Sequence, residues 1–276
     1  SERYEKTPIM NDIILSASQK IRSGSGDGAI INNWWDRGYL YRYYSKRDVL
    51  MHNGFGGTFH PSMYWFSRML LTDNETEAVN MLNALDCSRG KRSGINLNNG
   101  SCNPPEAFML LDSTFPGKIS QFIYFADWYN NINKSTPFED TRNPIITSSA
   151  RCSVDTNRTI IKCGQDIKVV IKKMVPKLEY KGTPFPVQVV GKEIILVSFE
   201  NGPYTLLVYP TDLSYESVII RSDLLNSMFV RLYFKRGLGL KKFEPFLDIS
   251  NPINGRAVAY KINWNGTGLN NSTANI

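Results

Sequence analysis

A chain of 276 residues with 42% hydrophobic and 12% aromatic side chains can bury one large core or two small ones, which excludes pervasive disorder. The formal net charge of +7 is spread over stretches such as 162–173 and 231–242 rather than gathered in one block. No nucleic-acid partner is therefore expected, and a surface suited to an anionic membrane is the better reading.

No run of about 18 apolar residues occurs, so nothing in the chain is expected to span a bilayer. The charged start at Ser1, with no initiator Met and no signal peptide, reads as a piece of a longer protein. Along residues 1–23, Ile9, Ile13, Ile14 and Ile21 recur among polar positions and predict a first helix. The run Ser23-Gly24-Ser25-Gly26-Asp27-Gly28 breaks it as a turn. Ala29-Ile30-Ile31 then reads as a short buried strand entering the polar, aromatic loop Trp34-Trp35-Asp36-Arg37-Gly38.

Residues 39–50 are aromatic and basic, a helix or bent segment, and 54–58 are a Gly-rich loop. Residues 61–71 carry helical spacing. Thr72 and Glu75 fit a capping box for a helix over 73–86, with Ala78, Leu82 and Leu85 in period. Residues 88–105 read as a loop, Ala107 to Leu111 as a strand, and Pro116 as the first turn of a helix reaching about Tyr129. Residues 130–149 are loop-like.

From Arg151 the character changes. β-Branched runs at 159–161, 169–171, 187–190, 194–197 and 205–209, punctuated by Gly and Pro, predict an antiparallel sheet or small barrel. Ser222-Asp223-Leu224 opens a late helix through Phe234, with Leu225, Phe229 and Leu232 on one stripe. Phe246 to Ile249 and Ala257 to Trp264 are closing strands. The expected fold is α+β. A mainly helical core over 1–150 bears the Trp-Trp-Asp motif and packs with a β-rich segment, 151–221. A late helix and strands follow over 222–265, then a flexible tail, 266–276.

Cys87, Cys102, Cys152 and Cys163 are even in number and form no Cys-x-x-Cys pair, and His52 and His60 are the only histidines, so a Cys/His zinc site lacks its spacing. Two disulfides, Cys152 with Cys163 and Cys87 with Cys102, are expected in an oxidising compartment; four buried thiols are the alternative. Asn-x-Ser/Thr triplets begin at Asn74, Asn99, Asn133, Asn157, Asn265, Asn270 and Asn271, a set that suits the glycosylating side of a membrane.

The densest chemistry lies in Trp34-Trp35-Asp36-x-Gly38. Two indole N–H donors beside one carboxylate acceptor suit a small hydroxyl, which accepts from an indole and donates to Asp36. Flat indole faces exclude water and strengthen such bonds, and the pocket would reject a partner lacking the hydroxyl. Two core tryptophans beside an Asp that caps a turn would give the same spacing.

The segment resembles the Trp-Trp-Asp-Tyr-Gly signature of oligosaccharyltransferase catalytic subunits of the AglB and PglB type, with Arg37 where that family usually has Tyr. The strand before it, the stretch Arg42-Tyr43-Tyr44-Ser45, the helix over 75–85 and the late helix Asn226 to Phe234 resemble the family's context. Asp112-Ser113-Thr114-Phe115-Pro116-Gly117-Lys118 with Phe122 or Ile123 resembles its second motif, an Asp, a Lys and an apolar contact for a threonine methyl. Arg37 is expected to pair with a neighbouring acid.

The resemblance implies the soluble C-terminal domain of a membrane glycosyltransferase, archaeal by expectation. Such an enzyme transfers a lipid-linked, dolichyl-type oligosaccharide to the Asn of an Asn-x-Ser/Thr acceptor peptide. It further implies an extracytoplasmic position, and a divalent cation, Mn or Mg, in a transmembrane part outside this chain. The fragment itself is expected to bind no metal, to hold no catalytic residue and to be inactive alone, reading the acceptor with Trp34, Trp35, Asp36, Lys118 and Phe122 or Ile123. Two other readings stand beside it: a secreted carbohydrate-binding module stacking sugars on Trp34, Trp35 and Tyr39, or a structural extracellular domain.

Overall fold

The computed structural model describes residues 12–52, 61–88, 103–127, 146–154, 160–163, 167–170, 177–180, 183–190, 194–198, 204–210, 215–251 and 255–265. In chain order the first elements are α1 (Asp12–Ser23), β1 (Ile30–Asn32), α2 (Gly38–Ser45), β2 (Asp48–Val49), α3 (Pro61–Leu71), α4 (Glu75–Cys87) and β3 (Ala107–Asp112). Then follow α5 (Ile119–Ala126), β4 (Ile146–Val154), β5 (Ile160–Cys163), β6 (Ile167–Val170), β7 (Lys177–Tyr180) and β8 (Thr183–Val190). The last are β9 (Ile194–Ser198), β10 (Tyr204–Pro210), β11 (Tyr215–Arg221), α6 (Met228–Tyr233), β12 (Phe243–Asn251) and β13 (Gly255–Ile262).

The fold is α+β, and its two compact units cut across the blocks expected from composition. One unit is Ser1–Met69, Asn74–Phe115 and Gly239–Ile276; the other is Leu70–Asp73 and Pro116–Leu238. The closing strands thus join the unit that holds the tryptophan motif, because β13 pairs antiparallel with β3 from Ala257 opposite Asp112 to Lys261 opposite Phe108.

In the first unit a five-stranded sheet runs β12-β13-β3-β1-β2, with β1 parallel to both β2 and β3. The helices therefore flank a sheet rather than forming a core by themselves. Every residue of β3 is buried, the mark of a strand covered on both faces. Phe108 and Leu110 alternate onto one face with Ala257 and Ala259. There they meet Ile13, Ile14, Ala17 and Ile21 of α1 and Leu40 and Tyr41 of α2. Each large apolar side chain removed from water in this way contributes roughly 1.5–3 kcal/mol.

The N-cap of α4 corrects the expected capping box. Asn74, not Thr72, caps the helix, its side chain accepting from Thr76 N at 3.0 Å and Glu77 N at 3.2 Å. Glu75 is drawn elsewhere, accepting from the backbone of Lys241 at 2.8 Å and Lys242 at 2.6 Å.

In the second unit β4–β11 close into an antiparallel barrel, β9 pairing with both β8 and β10. Closure removes the exposed edges that an open sheet of short strands would leave. Strand β4 starts at Ile146, inside the stretch expected to be loop. The helix expected from Pro116 is a 3-10 turn, Pro116–Lys118, followed by α5, which ends at Ala126. Ser222–Leu224 is likewise only a 3-10 turn, and α6 begins after Ser227, whose side chain accepts from Val230 N. Phe229 gathers Phe122, Tyr233 and Phe234 around it at centroid distances of 6.0, 6.1 and 5.6 Å. The loop at 54–58, most of the loop at 88–105, the part of 130–149 before Ile146, and the tail 266–276 lie outside the described residues.

Candidate functional site

The tryptophan motif sits where β1 ends. Asn32 closes the strand and donates to Asp86 of α4 at 3.2 Å, both side chains buried. Asn33, fully buried, donates to Trp34 O at 2.6 Å and Met51 O at 3.2 Å. The chain then turns through Trp34 into a 3-10 turn, Trp35–Arg37, and on into α2. In open sheets with parallel strands, the carboxyl ends of the strands are where sites are built.

Within the turn the side chains divide by burial. Trp34 is 1% exposed and lies on Phe66 of α3, ring centroids 6.1 Å apart. Trp35, Asp36 and Arg37 are half-buried. Gly38 is fixed by sterics: a Cβ there would stand 1.8 Å from Met51 O and 2.8 Å from its carbonyl carbon. Only glycine lets the start of α2 lie against the backbone at 51–52.

Arg37 pairs with an acid, as the missing tyrosine led us to expect, and the acid is Asp112. Arg37 Nη1 lies 3.8 Å from Asp112 Oδ2. Asp112 ends β3, beside β1, and is buried. Its carboxylate also accepts the Tyr41 hydroxyl, Thr114 N at 2.7 Å and Thr114 Oγ1 at 2.6 Å. Burial, then the neighbouring Asp112 charge and its hydrogen bond, hold the Tyr41 phenol well above its usual pKa; Arg37 opposes the shift and Asp36 adds to it. Tyr41 is thus a neutral donor at every physiological pH. Asp112 is part of the bracing beneath the turn, joined through Arg37 and Tyr41.

Sequence reasoning missed Tyr41, Thr114, Asn32, Asn33 and Asp86. Two adjacent asparagines at the end of an apolar strand were the one available signal, since buried amides need partners. Beside the motif, Tyr39 and Tyr43 are exposed one turn apart on α2. The sugar-stacking set of Trp34, Trp35 and Tyr39 is not presented together, because Trp34 is in the core.

Lys118, Phe122 and Ile123 belong to the second compact unit. Lys118 is half-buried where the 3-10 turn passes into α5. Phe122 is fully buried against Phe229, which commits it to that unit's core. Ile123, half-buried, is the member of the pair that keeps a surface to present. Cys87 is disulfide-bonded, and Cys102 lies outside the described residues. Cys152 and Cys163 stand opposite each other in the β4–β5 register.

A family model for the STT3/PglB/AglB core domain matches residues 27–99, from the turn before β1 past the end of α4. Over that stretch the chain is similar to proteins of the AglB/PglB type. Over 116 residues, 41% of the chain, it is 25% identical to a dolichyl-phosphooligosaccharide-protein glycotransferase of Methanocaldococcus jannaschii, of which it spans 12%. The fold is similar to that of a solved domain. The crystal structure of the C-terminal domain of PglB from C. jejuni matches with a TM-score of 0.53 at 14% identity, covering 90% of this chain and 99% of that one. Among the described residues, no helix is long and apolar enough to cross a membrane. Nor does any group of three or more His, Cys, Asp or Glu among them suit a metal ion.

Proposed function

We propose that this domain reads the Asn-x-Ser/Thr acceptor for a membrane oligosaccharyltransferase, on the extracytoplasmic side. The observation that carries the reading is the half-buried Trp35-Asp36 pair in a rigid turn at the end of β1, inside the segment matched to the family. The hydroxyl two residues after the acceptor Asn donates to Asp36 and accepts from indole N–H, with buried Trp34 as the floor.

Positioning is the physical contribution. Holding the acceptor by its hydroxyl fixes the Asn amide near the donor and lowers the entropy cost of the step. The lipid-linked oligosaccharide, the divalent cation and the groups that activate the amide belong to the transmembrane part of the parent, and the chain alone has no turnover. A transfer assay on the full-length parent tests the reading. Asp36→Ala removes the acceptor and leaves the peptide hydroxyl unsatisfied. The expected loss is about 1–3 kcal/mol, or roughly ten- to a hundredfold in acceptor use. An unchanged Ser/Thr requirement in Asp36→Ala overturns the reading.

A further inference from the structure

Helix α2 turns Leu40, Tyr41 and Ser45 inward and leaves Tyr39, Arg42 and Tyr43 exposed. A groove of about 600 Å³ lies along it, lined by Tyr39, Leu40, Arg42, Tyr43, Tyr44 and His52. We propose that this groove takes an aromatic side chain of the acceptor peptide, carried two or three residues after the hydroxyl. The inference rests on the reading that the hydroxyl is held at Asp36. Tyr39 and Tyr43 then set which flanks are preferred among peptides that already carry the triplet.

The groove follows directly on the motif. Gly38 ends the turn of Trp35, Asp36 and Arg37 at φ −57° and ψ −38°, so the 3-10 turn runs into α2 without a break. Asp36 and Tyr39 are three residues apart, and Tyr39 and Tyr43 four, so they succeed one another along one side. By the rise of the two helix types, Tyr39 lies roughly 5 Å and Tyr43 roughly 11 Å along the axis from Asp36. An extended peptide advances about 3.3 Å per residue, so it reaches the rings in about two or three residues. Its direction follows from the chemistry. The acceptor Asn, two residues before the hydroxyl, must meet a donor held outside this chain, which leaves the residues after the hydroxyl to lie on this domain.

The lining chooses the occupant. Tyr39 is 42% exposed and Tyr43 63%, two of the three large hydrophobic side chains exposed among the described residues. Tyr43 is nevertheless held in place, its ring 4.9 Å from Tyr44 at 87° and its centroid 4.3 Å from Lys46 Nζ. A ring already fixed loses little further freedom when a partner docks on it. The exposed cations Arg42 and Lys46 are engaged, Arg42 with Asp48 at 3.6 Å and Lys46 with the Tyr43 ring. The groove therefore offers ring surface more than charge, which favours an uncharged aromatic flank over an acidic one.

Transfer kinetics on the full-length parent test it, with the acceptor peptides Asn-x-Thr-Ala-Phe-Ala, Asn-x-Thr-Ala-Ala-Phe and Asn-x-Thr-Ala-Ala-Ala. The better of the two Phe peptides should show a KM roughly two- to tenfold below that of the all-alanine flank. Its kcat should match, because the contact is the same in ground and transition state. Tyr39→Ala and Tyr43→Ala should close the gap in KM, and Tyr43→Phe should keep it. Alanine suits an exposed helix position, so a closed gap is not a failure to fold. Equal KM values for the three peptides, or a gap that survives both alanine variants, overturn the inference. If Asp36→Ala still loses acceptor use, the proposed function stands without it. A KM that rises for the lipid-linked oligosaccharide rather than for the peptide assigns the groove to the glycan and overturns the inference as well. An Asp36→Ala enzyme with its Ser/Thr requirement intact overturns the reading and the inference together.

Discussion

At the scale of single residues, the side chains proposed to meet the acceptor and those that brace the turn differ in burial. Trp35 and Asp36 are half-buried, while Asn33, Tyr41 and Asp112 are buried, Asn33 donating to Trp34 O and Met51 O and Tyr41 to Asp112. Removing one hydroxyl tests the bracing. Tyr41→Phe takes a donor from the buried Asp112 carboxylate and should destabilise the folded chain by about 1–3 kcal/mol. It should move the urea midpoint, and it should affect acceptor use less than Asp36→Ala does. A midpoint equal to that of the wild type would mean that Asp112 is satisfied without Tyr41. The motif was legible because Trp34, Trp35, Asp36 and Gly38 are adjacent and chemically distinctive. The bracing was not, because Tyr41 and Asp112 lie 71 residues apart and look ordinary in sequence. Asp112 was noticed, but its partners give it a structural place that spacing alone did not reveal.

At the scale of elements, the barrel shows where sequence patterns run out. The apolar runs behind β6, β8, β9 and β10 stood out, whereas β4, rich in Ser, and β7, Lys177-Leu178-Glu179-Tyr180, did not. Strands with few β-branched or apolar residues in a row give no run to recognise and resemble polar loops in sequence. The β4–β5 register does allow a specific expectation. Residues directly opposite in an antiparallel pair have Cα atoms roughly 4.5–5.5 Å apart, within the range a disulfide spans. Non-reducing peptide mapping should therefore link Cys152 to Cys163 and Cys87 to Cys102; crossed pairs would refute this. A second staple is electrostatic. Burial alone would raise the Glu106 pKa, but the hydrogen bond from Lys261, the Gly26 amide and the charges of Lys261 and Arg47 outweigh it and bring it below the usual value. A depressed folded pKa gives stability that is present above the unfolded value of about 4.3 and lost as pH falls through the folded one. Thermal midpoints measured from neutral pH into that acid range should fall less steeply in Glu106→Gln. Identical slopes would show that Glu106 contributes nothing there.

At the scale of the whole molecule, the sequence foretold an α+β chain with a barrel-like region but not how its parts divide. The two units interleave along the chain because β12 and β13, the last strands, complete the sheet begun by β1 and β3. Composition changes near Arg151 mark a local shift in residue type and cannot report which distant strands will pair. The tryptophan motif and Asp112 fall in one unit, and Lys118 and Ile123 in the other. The central claim is that the acceptor hydroxyl is read at the turn of Trp34, Trp35 and Asp36. It is tested most directly by photo-crosslinking in the full-length parent. The acceptor peptide keeps its Asn-x-Thr triplet and carries a photoreactive group at the residue just after the threonine. The account predicts crosslinks concentrated on residues 34–36, competed away by an unlabelled Asn-x-Thr peptide and not by Asn-x-Ala. Competed crosslinks that map elsewhere, while residues 34–36 stay unlabelled, would contradict it.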